Sequence, residues 1–195
     1  MKRIFDIVFS LFALLITLPL VLIAVIFIKL DDYDSPVLFK QKRGGINMHY
    51  FSIYKFRTMR ISSENKGKLT VGNDNRISKP GKWIRKFKID ELPQFINVLK
   101  GEMSVVGPRP EVEKYILLYN DEQKKIFRVK PGITDYASIA YFNENKLLGE
   151  SNDPEKTYVE KIMPDKLKLN LKYIEEQSLL VDIKVIFKTI LKIIN

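Results

Sequence analysis

Two adjacent carboxylates, Asp90 and Glu91, stand between two arginines in the stretch GKWIRKFKIDELPQFINVLKGEMSVVGPRP, residues 81–110. Arg85 precedes them, and Arg109 follows, held between Pro108 and Pro110. A carboxylate can attack phosphorus or hold a hard divalent cation, and guanidinium groups grip phosphate oxygens through paired N–H donors. The flanking prolines restrict the backbone and fix where the Arg109 side chain points. Such a set suits phosphate chemistry. A plainer reading stands beside it, because acids at a helix start also complement the dipole and cap free N–H groups.

The elements that must position this set follow from periodicity. Leu92, Phe95, Ile96 and Leu99 recur at helical spacing, predicting a helix that begins at Asp90, carries Pro93 in its first turn and stops at Gly101. Its N-terminus would place positive potential where a phosphate sits. Far upstream, residues 7–28 form an uncharged, mainly apolar run whose 22 residues would reach ~33 Å as a straight helix, enough to cross a hydrocarbon core. No small-residue cleavage site follows it, which argues against a signal peptide. Pro19 removes a hydrogen bond and clashes with the Leu15 carbonyl, so a bend is expected near the middle, with Thr17 available to bond a freed carbonyl. Lys2 and Arg3 on one flank and Lys29 on the other fit a helix that enters and leaves by the same face. A straight span with a short external tail fits the same charges.

Between the two regions, residues 37–42 and 50–59 read as strands around Gly44-Gly45, predicting a hairpin. Lys55 and Arg57 would share one strand face, turned toward a phosphate or toward solvent and lipid head groups. His49 reads as a surface loop residue. Residues 60–79 are polar and irregular, an expected loop near the site, and Trp83 suits either a membrane interface or a core. Residues 111–129 read as a helix. From Ile183 a basic amphipathic helix is expected, with Ile183, Ile186, Phe187, Ile190, Leu191 and Ile194 on one face and Lys184, Lys188 and Lys192 on the other. It suits an anionic membrane surface or a core-facing position.

Lys and Arg total 33 against 23 Asp and Glu, a net charge of +10 that implies an anionic partner. Cysteine is absent, which excludes disulfides and thiolate chemistry, and a single histidine makes a zinc site improbable. The basic residues are dispersed rather than gathered on a recognisable nucleic-acid module, so no nucleic-acid partner is expected.

The string Arg-x4-Asp-Glu-Leu-Pro-Gln, continued by Asn-Val-Leu-Lys-Gly-x-Met-Ser-x-Val-Gly-Pro-Arg-Pro, resembles the core signature of the bacterial sugar transferases, the monotopic phosphoglycosyl transferases. Lys2-Arg3-x-x-Asp6, the segments 35–43 and 54–59, Asp74-x-Arg76, Pro131-Gly132-Ile133-Thr134, and Tyr158, Tyr173, Ser178, Asp182 and Thr189 extend the resemblance over nearly the whole chain. It implies an α+β, mainly helical monotopic membrane protein with an N-terminal re-entrant helix (residues 1–30) broken at Pro19, a small β-hairpin and amphipathic surface helices, the catalytic part being residues 31–195. It implies transfer of a sugar-1-phosphate from a UDP-sugar to polyprenyl phosphate at the cytoplasmic face of the bacterial inner membrane. Asp90 would be the nucleophile, Glu91 would hold Mg²⁺, Arg85 and Arg109 would bind phosphates, and Lys55, Arg57, Pro108 and Pro110 would border the nucleotide-sugar. A non-catalytic scaffold that kept the fold is the alternative. Three departures stand out: Leu18 before Pro19 in place of serine, Met48 where glycine is usual, and Asp135 in place of the glycine after Thr134. An expected arginine downstream of Thr134 is missing, Phe142-Asn143 standing near its place.

Overall fold

The computed structural model describes residues 1–60, 69–72 and 74–194. The apolar run folds as one helix, α1 (Lys2–Asp31), which continues through Pro19, so the break expected there is not present: the helical ladder resumes past the one hydrogen bond that proline removes. Thr17 Oγ1 donates to the Ala13 carbonyl at 2.7 Å, on its own preceding turn, and not to the Leu15 carbonyl that Pro19 leaves without its N–H. Only Asp6, Ser10, Ala24 and Ile28 of this helix are buried, so most of its apolar side chains, Leu11, Phe12, Leu15 and Ile16 among them, are left uncovered.

Both ends of α1 are nevertheless docked. At the start, Lys2 Nζ reaches Asp182 at 2.5 Å and the Val106 carbonyl at 3.1 Å. Arg3 donates to the carbonyls of Val98 and Leu99, while Asp6 accepts from Ser104 Oγ and the Val105 N–H, both at 3.0 Å. The Lys2-Arg3-x-x-Asp6 motif is therefore a docking device, its charges spent on protein groups. At the far end, Arg57 binds Asp32 at 3.0 Å and the terminal carbonyls of Ile28 and Asp32, and Ala24 and Ile28 pack on Phe56, Ile84 and Ile89.

The expected hairpin forms from β1 (Leu38–Gly44) and β2 (Tyr50–Phe56), antiparallel from Leu38↔Phe56 to Gly44↔Tyr50. Its loop keeps a left-handed backbone at Asn47 (φ 52°) and at Met48 (φ 61°), so Met48 bears the conformation a glycine would take freely. His49 is exposed in this loop. Of the expected loop over 60–79, residues 61–68 and 73 lie outside the described residues; Met59 bridges Ile77, and Arg76 clamps Asp74 and the Leu69 carbonyl.

Two helices follow, α2 (Lys79–Lys86), capped by the Ser78 side chain, and α3 (Gln94–Lys100), ended by Gly101 at φ 86°. The second begins later than its periodicity implied. Pro93 has no N–H for the Ile89 carbonyl, which is taken by Leu92 at 3.1 Å instead, so Ile89–Glu91 is a 3-10 turn leading into the helix. Asp90 thus sits ahead of the helix rather than at its N-terminus, and a helix-end potential at that residue does not follow.

Strands β3 (Ser104–Val106) and β4 (Gly132–Thr134) pair in parallel. Gly107 and Gly132 cross so closely that a Cβ on Gly132 would stand 2.1 Å from the Gly107 nitrogen, which only glycine permits. Between these strands the expected long helix is broken into α4 (Glu113–Ile116) and a 3-10 segment, Gln123–Arg128. Asn120 and Gln123 exchange side-chain and backbone bonds at 2.9 and 3.0 Å, a reciprocal cap that ends one turn and starts the next.

The last third is helical: α5 (Tyr136–Ala140), α6 (Glu144–Gly149), α7 (Pro154–Thr157), a π turn at Tyr158–Ile162, α8 (Met163–Glu176) and α9 (Leu179–Ile194). In α9 the buried side is Asp182, Val185 and Ile186, so of the expected apolar stripe only Ile186 faces the core. Ile183, Phe187, Ile190, Leu191 and Ile194 are exposed beside their lysines.

Candidate active site

The 3-10 turn directs Asp90 inward, where it is 6% exposed, and sets Glu91 beside it. Lys88, just ahead, holds a left-handed backbone (φ 55°) and lays its ammonium 5.2 Å from the centre of the Phe142 ring. From the hairpin, Lys55 Nζ reaches Glu91 Oε1 at 2.9 Å and Asp90 Oδ2 at 4.0 Å. Among the described residues it is the only cation within that distance of Asp90, whose carboxylate receives no hydrogen bond.

Arg109 comes from the turn after β3. Its backbone N–H donates to Asp135 Oδ2 at 3.0 Å, and its guanidinium binds Glu91, Nη2 on Oε1 and Nη1 toward Oε2 at 3.4 Å. Asp135, fully buried, also accepts from Ser138 N and so caps α5, a double duty no glycine could perform. Pro108 and Pro110 are buried on either side; the Pro108 carbonyl accepts from Gly132 and the Pro110 carbonyl from Arg43. Behind them Arg43 binds Glu111 at 2.9 Å, and Glu111 accepts from Tyr158 at 2.5 Å.

Arg85 approaches from α2. Its Nη2 donates to Thr70 at 3.2 Å, and its Nη1 is buried with no partner among the described residues. Asn97 of α3 locks the hairpin to the helix: its side chain accepts from Tyr54 N at 3.0 Å and donates to the Ser52 carbonyl at 2.8 Å. These bonds fall next to Lys55 and hold it in register with the carboxylates.

The two acids titrate in opposite directions. Burial pushes Asp90 above the ordinary carboxylate range; Lys55, Arg85 and Lys88 oppose it, while the Glu91 charge adds to it. Burial acts on Glu91 too, but Arg109, Lys55 and Lys88 overcome it and hold this carboxyl well below its usual value. Arg109 is raised by Glu91, against its own burial.

The structure therefore brings together Asp90, Glu91, Lys55, Arg85 and Arg109. Arg57 is not among them. It points to the end of α1, where it lines a cavity of about 400 Å³ with Asp31, Asp32, Arg60 and Ser78. The shared face expected for Lys55 and Arg57 fails because β2 ends at Phe56, so strand alternation no longer governs the next residue. The sequence does not reveal the parts that Lys88, Asn97 and Asp135 play here: spacing marks only a lysine beside the acidic pair, an asparagine inside the motif and an acid where glycine is usual.

Among the described residues no three acidic, His or Cys ligands gather into a cage. The donor type still suits a hard cation, since Glu91 Oε2 carries only the long contact from Arg109 and so retains a free lone pair. One or two carboxylates, completed by substrate phosphate and water, are what Mg²⁺ ordinarily takes.

The whole chain, residues 1–195, matches the sequence model of a family described as bacterial sugar transferase. It is 38% identical over 194 residues to the uncharacterized sugar transferase EpsL of Bacillus subtilis (strain 168), covering 100% of this chain and 87% of that protein. To the undecaprenyl-phosphate glucose phosphotransferase of Komagataeibacter xylinus it is 40% identical over 197 residues, 97% of this chain and 35% of the relative. To the UDP-glucose:undecaprenyl-phosphate glucose-1-phosphate transferase of Escherichia coli (strain K12) it is 36% identical over 200 residues, 98% of this chain and 40% of the relative. The chain thus spans most of the Bacillus protein and less than half of the other two.

Proposed function

This chain belongs to the bacterial sugar transferase family, and from that membership we propose that it moves a sugar-1-phosphate from a UDP-sugar to polyprenyl (undecaprenyl) phosphate, the first membrane step of a bacterial glycan. The observation that carries the reading is the division of labour between adjacent acids: Asp90 unbonded with its pKa raised, Glu91 tied to two cations with its pKa lowered.

In the first step an Asp90 oxygen attacks the sugar-bearing phosphorus of the donor. The bond to the bridging oxygen breaks, UMP leaves with that electron pair, and an aspartyl phosphosugar remains. In the second, a phosphate oxygen of the acceptor attacks the same phosphorus, the aspartyl bond breaks, and the carboxylate is restored as the polyprenyl diphosphosugar departs. Arg85, whose Nη1 has no partner among the described residues, takes phosphate oxygens, and Arg109 is held ready beside Glu91 by Asp135. Glu91 would hold Mg²⁺, which when bound offsets repulsion between the anionic nucleophile and the diphosphate.

The acceptor cannot leave the bilayer cheaply, since exposing each CH₂ costs ~0.8 kcal/mol, so the site must sit at head-group height. Residues 1–30 form the membrane-embedded part in this reading, re-entrant with both ends at the cytoplasmic face of the inner membrane, and residues 31–195 the catalytic part. The docking of both α1 ends on the rest of the chain supports it, as do the uncovered apolar face and lysines of α9, suited to anionic lipid.

The test is mass spectrometry of enzyme quenched after exposure to UDP-sugar alone. A phosphosugar adduct on the peptide containing Asp90 is expected, and D90N should lose both adduct and UMP release. An unmodified peptide under conditions of active turnover would refute the assignment.

A further inference from the structure

The reaction as described leaves unused a ladder of three aromatic rings beside the site. Phe27, near the end of the apolar run of α1, lies 6.3 Å from Trp83, centre to centre, and Trp83 lies 5.9 Å from Phe87, edge to face. All three remain between 38 and 49% exposed. Trp83 and Phe87 are four residues apart and share a side of α2 and its cap, whereas Arg85 projects from the opposite side toward Asp90. The ladder therefore begins on the apolar helix and ends at the turn that leads into the carboxylates. Lys86 lies 5.4 Å from the Phe87 ring centre, placing a cation at the polar end of the row.

Exposed aromatic rings next to an apolar helix have several conceivable occupants, and the site selects among them. In a bilayer, saturated lipid tails gain little from a protein surface, because association there rests on packing shape rather than on escape from water. A polyprenyl chain differs in shape. Its methyl branches and rigid double bonds offer a repeating profile that flat rings can grip. Its phosphate must also reach the phosphosugar on Asp90, so its first isoprene units must lie within a short distance of that residue. The ladder ends at Phe87, three residues ahead of Asp90 in the turn that carries it.

We propose that Phe27, Trp83 and Phe87 form the seat for the first isoprene units of the acceptor lipid, aligning its phosphate with Arg85 and Asp90. The inference rests on the polyprenyl phosphate reading above. An ordinary phospholipid tail on the same rings is an outcome of the test.

The chain contains a single tryptophan, so its emission reports on Trp83 alone. Full-length protein in liposomes of phosphatidylglycerol and phosphatidylethanolamine is titrated with undecaprenyl phosphate, and separately with dipalmitoyl phosphatidic acid. The polyprenyl lipid should produce a blue shift that saturates near one equivalent, and the saturated phosphomonoester should not. In kinetics, W83A/F87A should raise the acceptor KM about fivefold relative to the donor KM, as expected for lost packing contacts in lipid, while W83F stays near the parent ratio. An equal shift with phosphatidic acid, no shift with either lipid, or an unchanged KM ratio overturns the ladder. UMP release from donor in a single turnover separates the two levels. If it occurs and the ratio is unchanged, only the ladder falls; if the parent protein releases none, the transferase reading falls and the ladder with it.

Discussion

Lys2 and Asp182 are 180 positions apart in the chain, yet their side chains meet at 2.5 Å, with the Tyr173 hydroxyl 2.7 Å from the other Asp182 oxygen. Asp182 is 1% exposed, whereas Lys2 is 36% exposed, so the acid depends on this contact far more than the amine does. At an effective dielectric of about 20, two unit charges at 2.5 Å attract by roughly 6–7 kcal/mol. Desolvation of Asp182 and the exposure of Lys2 remove most of that, leaving a coupling of about 2 kcal/mol, or roughly 30-fold in an equilibrium constant. The measurement is a double-mutant cycle on K2A, D182N and the pair, with unfolding followed by urea titration in nanodiscs. K2A alone should be the most damaging variant, because it leaves a buried carboxylate with only Tyr173. Adding D182N should recover much of the loss. The topological consequence is sharper than the energy. A helix whose first residues lie across the bilayer cannot couple residue 2 to residue 182, so additive effects within about 0.5 kcal/mol would refute the docked N-terminus and the re-entrant proposal together.

Further outcomes follow from other contacts. Because the Asp90 pKa is raised, donor kcat/KM should fall as pH drops through that value, the protonated acid being no nucleophile. The same shift means that deprotonated Asp90 costs stability, which is fully present below the unfolded pKa and lost as pH rises through the folded one. D90N should therefore unfold at a higher temperature than the parent at pH 7.5, with the gap closing on acidification. Glu91 acts in the opposite sense: its stabilisation is present above its unfolded pKa and lost as pH falls through the depressed folded value. M48G should stabilise by about 0.5–1 kcal/mol in thermal unfolding, since an exposed side chain is lost and a left-handed backbone is relieved. N97A should destabilise by about 2–3 kcal/mol, as it strands the Tyr54 N–H and the Ser52 carbonyl, and kcat should fall with the loosened Lys55.

Much of this arrangement was legible in local spacing, and the failures have identifiable causes. The apolar positions of α3 and the hairpin around Gly44-Gly45 follow from periods of 3.6 and 2 that each segment enforces on its own. The helix start was misplaced because one missing N–H, at Pro93, decides which carbonyl is taken. Alternation would put Arg57 on the Lys55 face, but the strand stops one residue too early for that. The residues 111–129 contain enough apolar positions for a helix, but the mutual capping of Asn120 and Gln123 interrupts it. Nothing local marks Lys2 as the partner of Asp182, or Asn97 as the tie between α3 and β2. Those pairings exist only once the chain has closed on itself.

The proposal that Asp90 rather than Glu91 attacks rests on charge as much as on the motif. Nucleophilicity of a carboxylate rises with its basicity, and it falls when lone pairs are already committed to donors. Glu91 is disadvantaged on both counts: Lys55 and Arg109 occupy Oε1, and the same cations lower its pKa. Asp90 is more basic and free of hydrogen bonds, while Lys55 at 4.0 Å is near enough to favour its ionised form without capturing it. Exchanging the residues as D90E/E91D would not exchange these environments, since the cations come from β2 and from the turn after β3, fixed independently of the dipeptide. The side chain at position 90 should therefore carry any adduct, even in the swapped protein, and an adduct that follows the aspartate to position 91 would show that side-chain type, rather than the surrounding charge, selects the nucleophile.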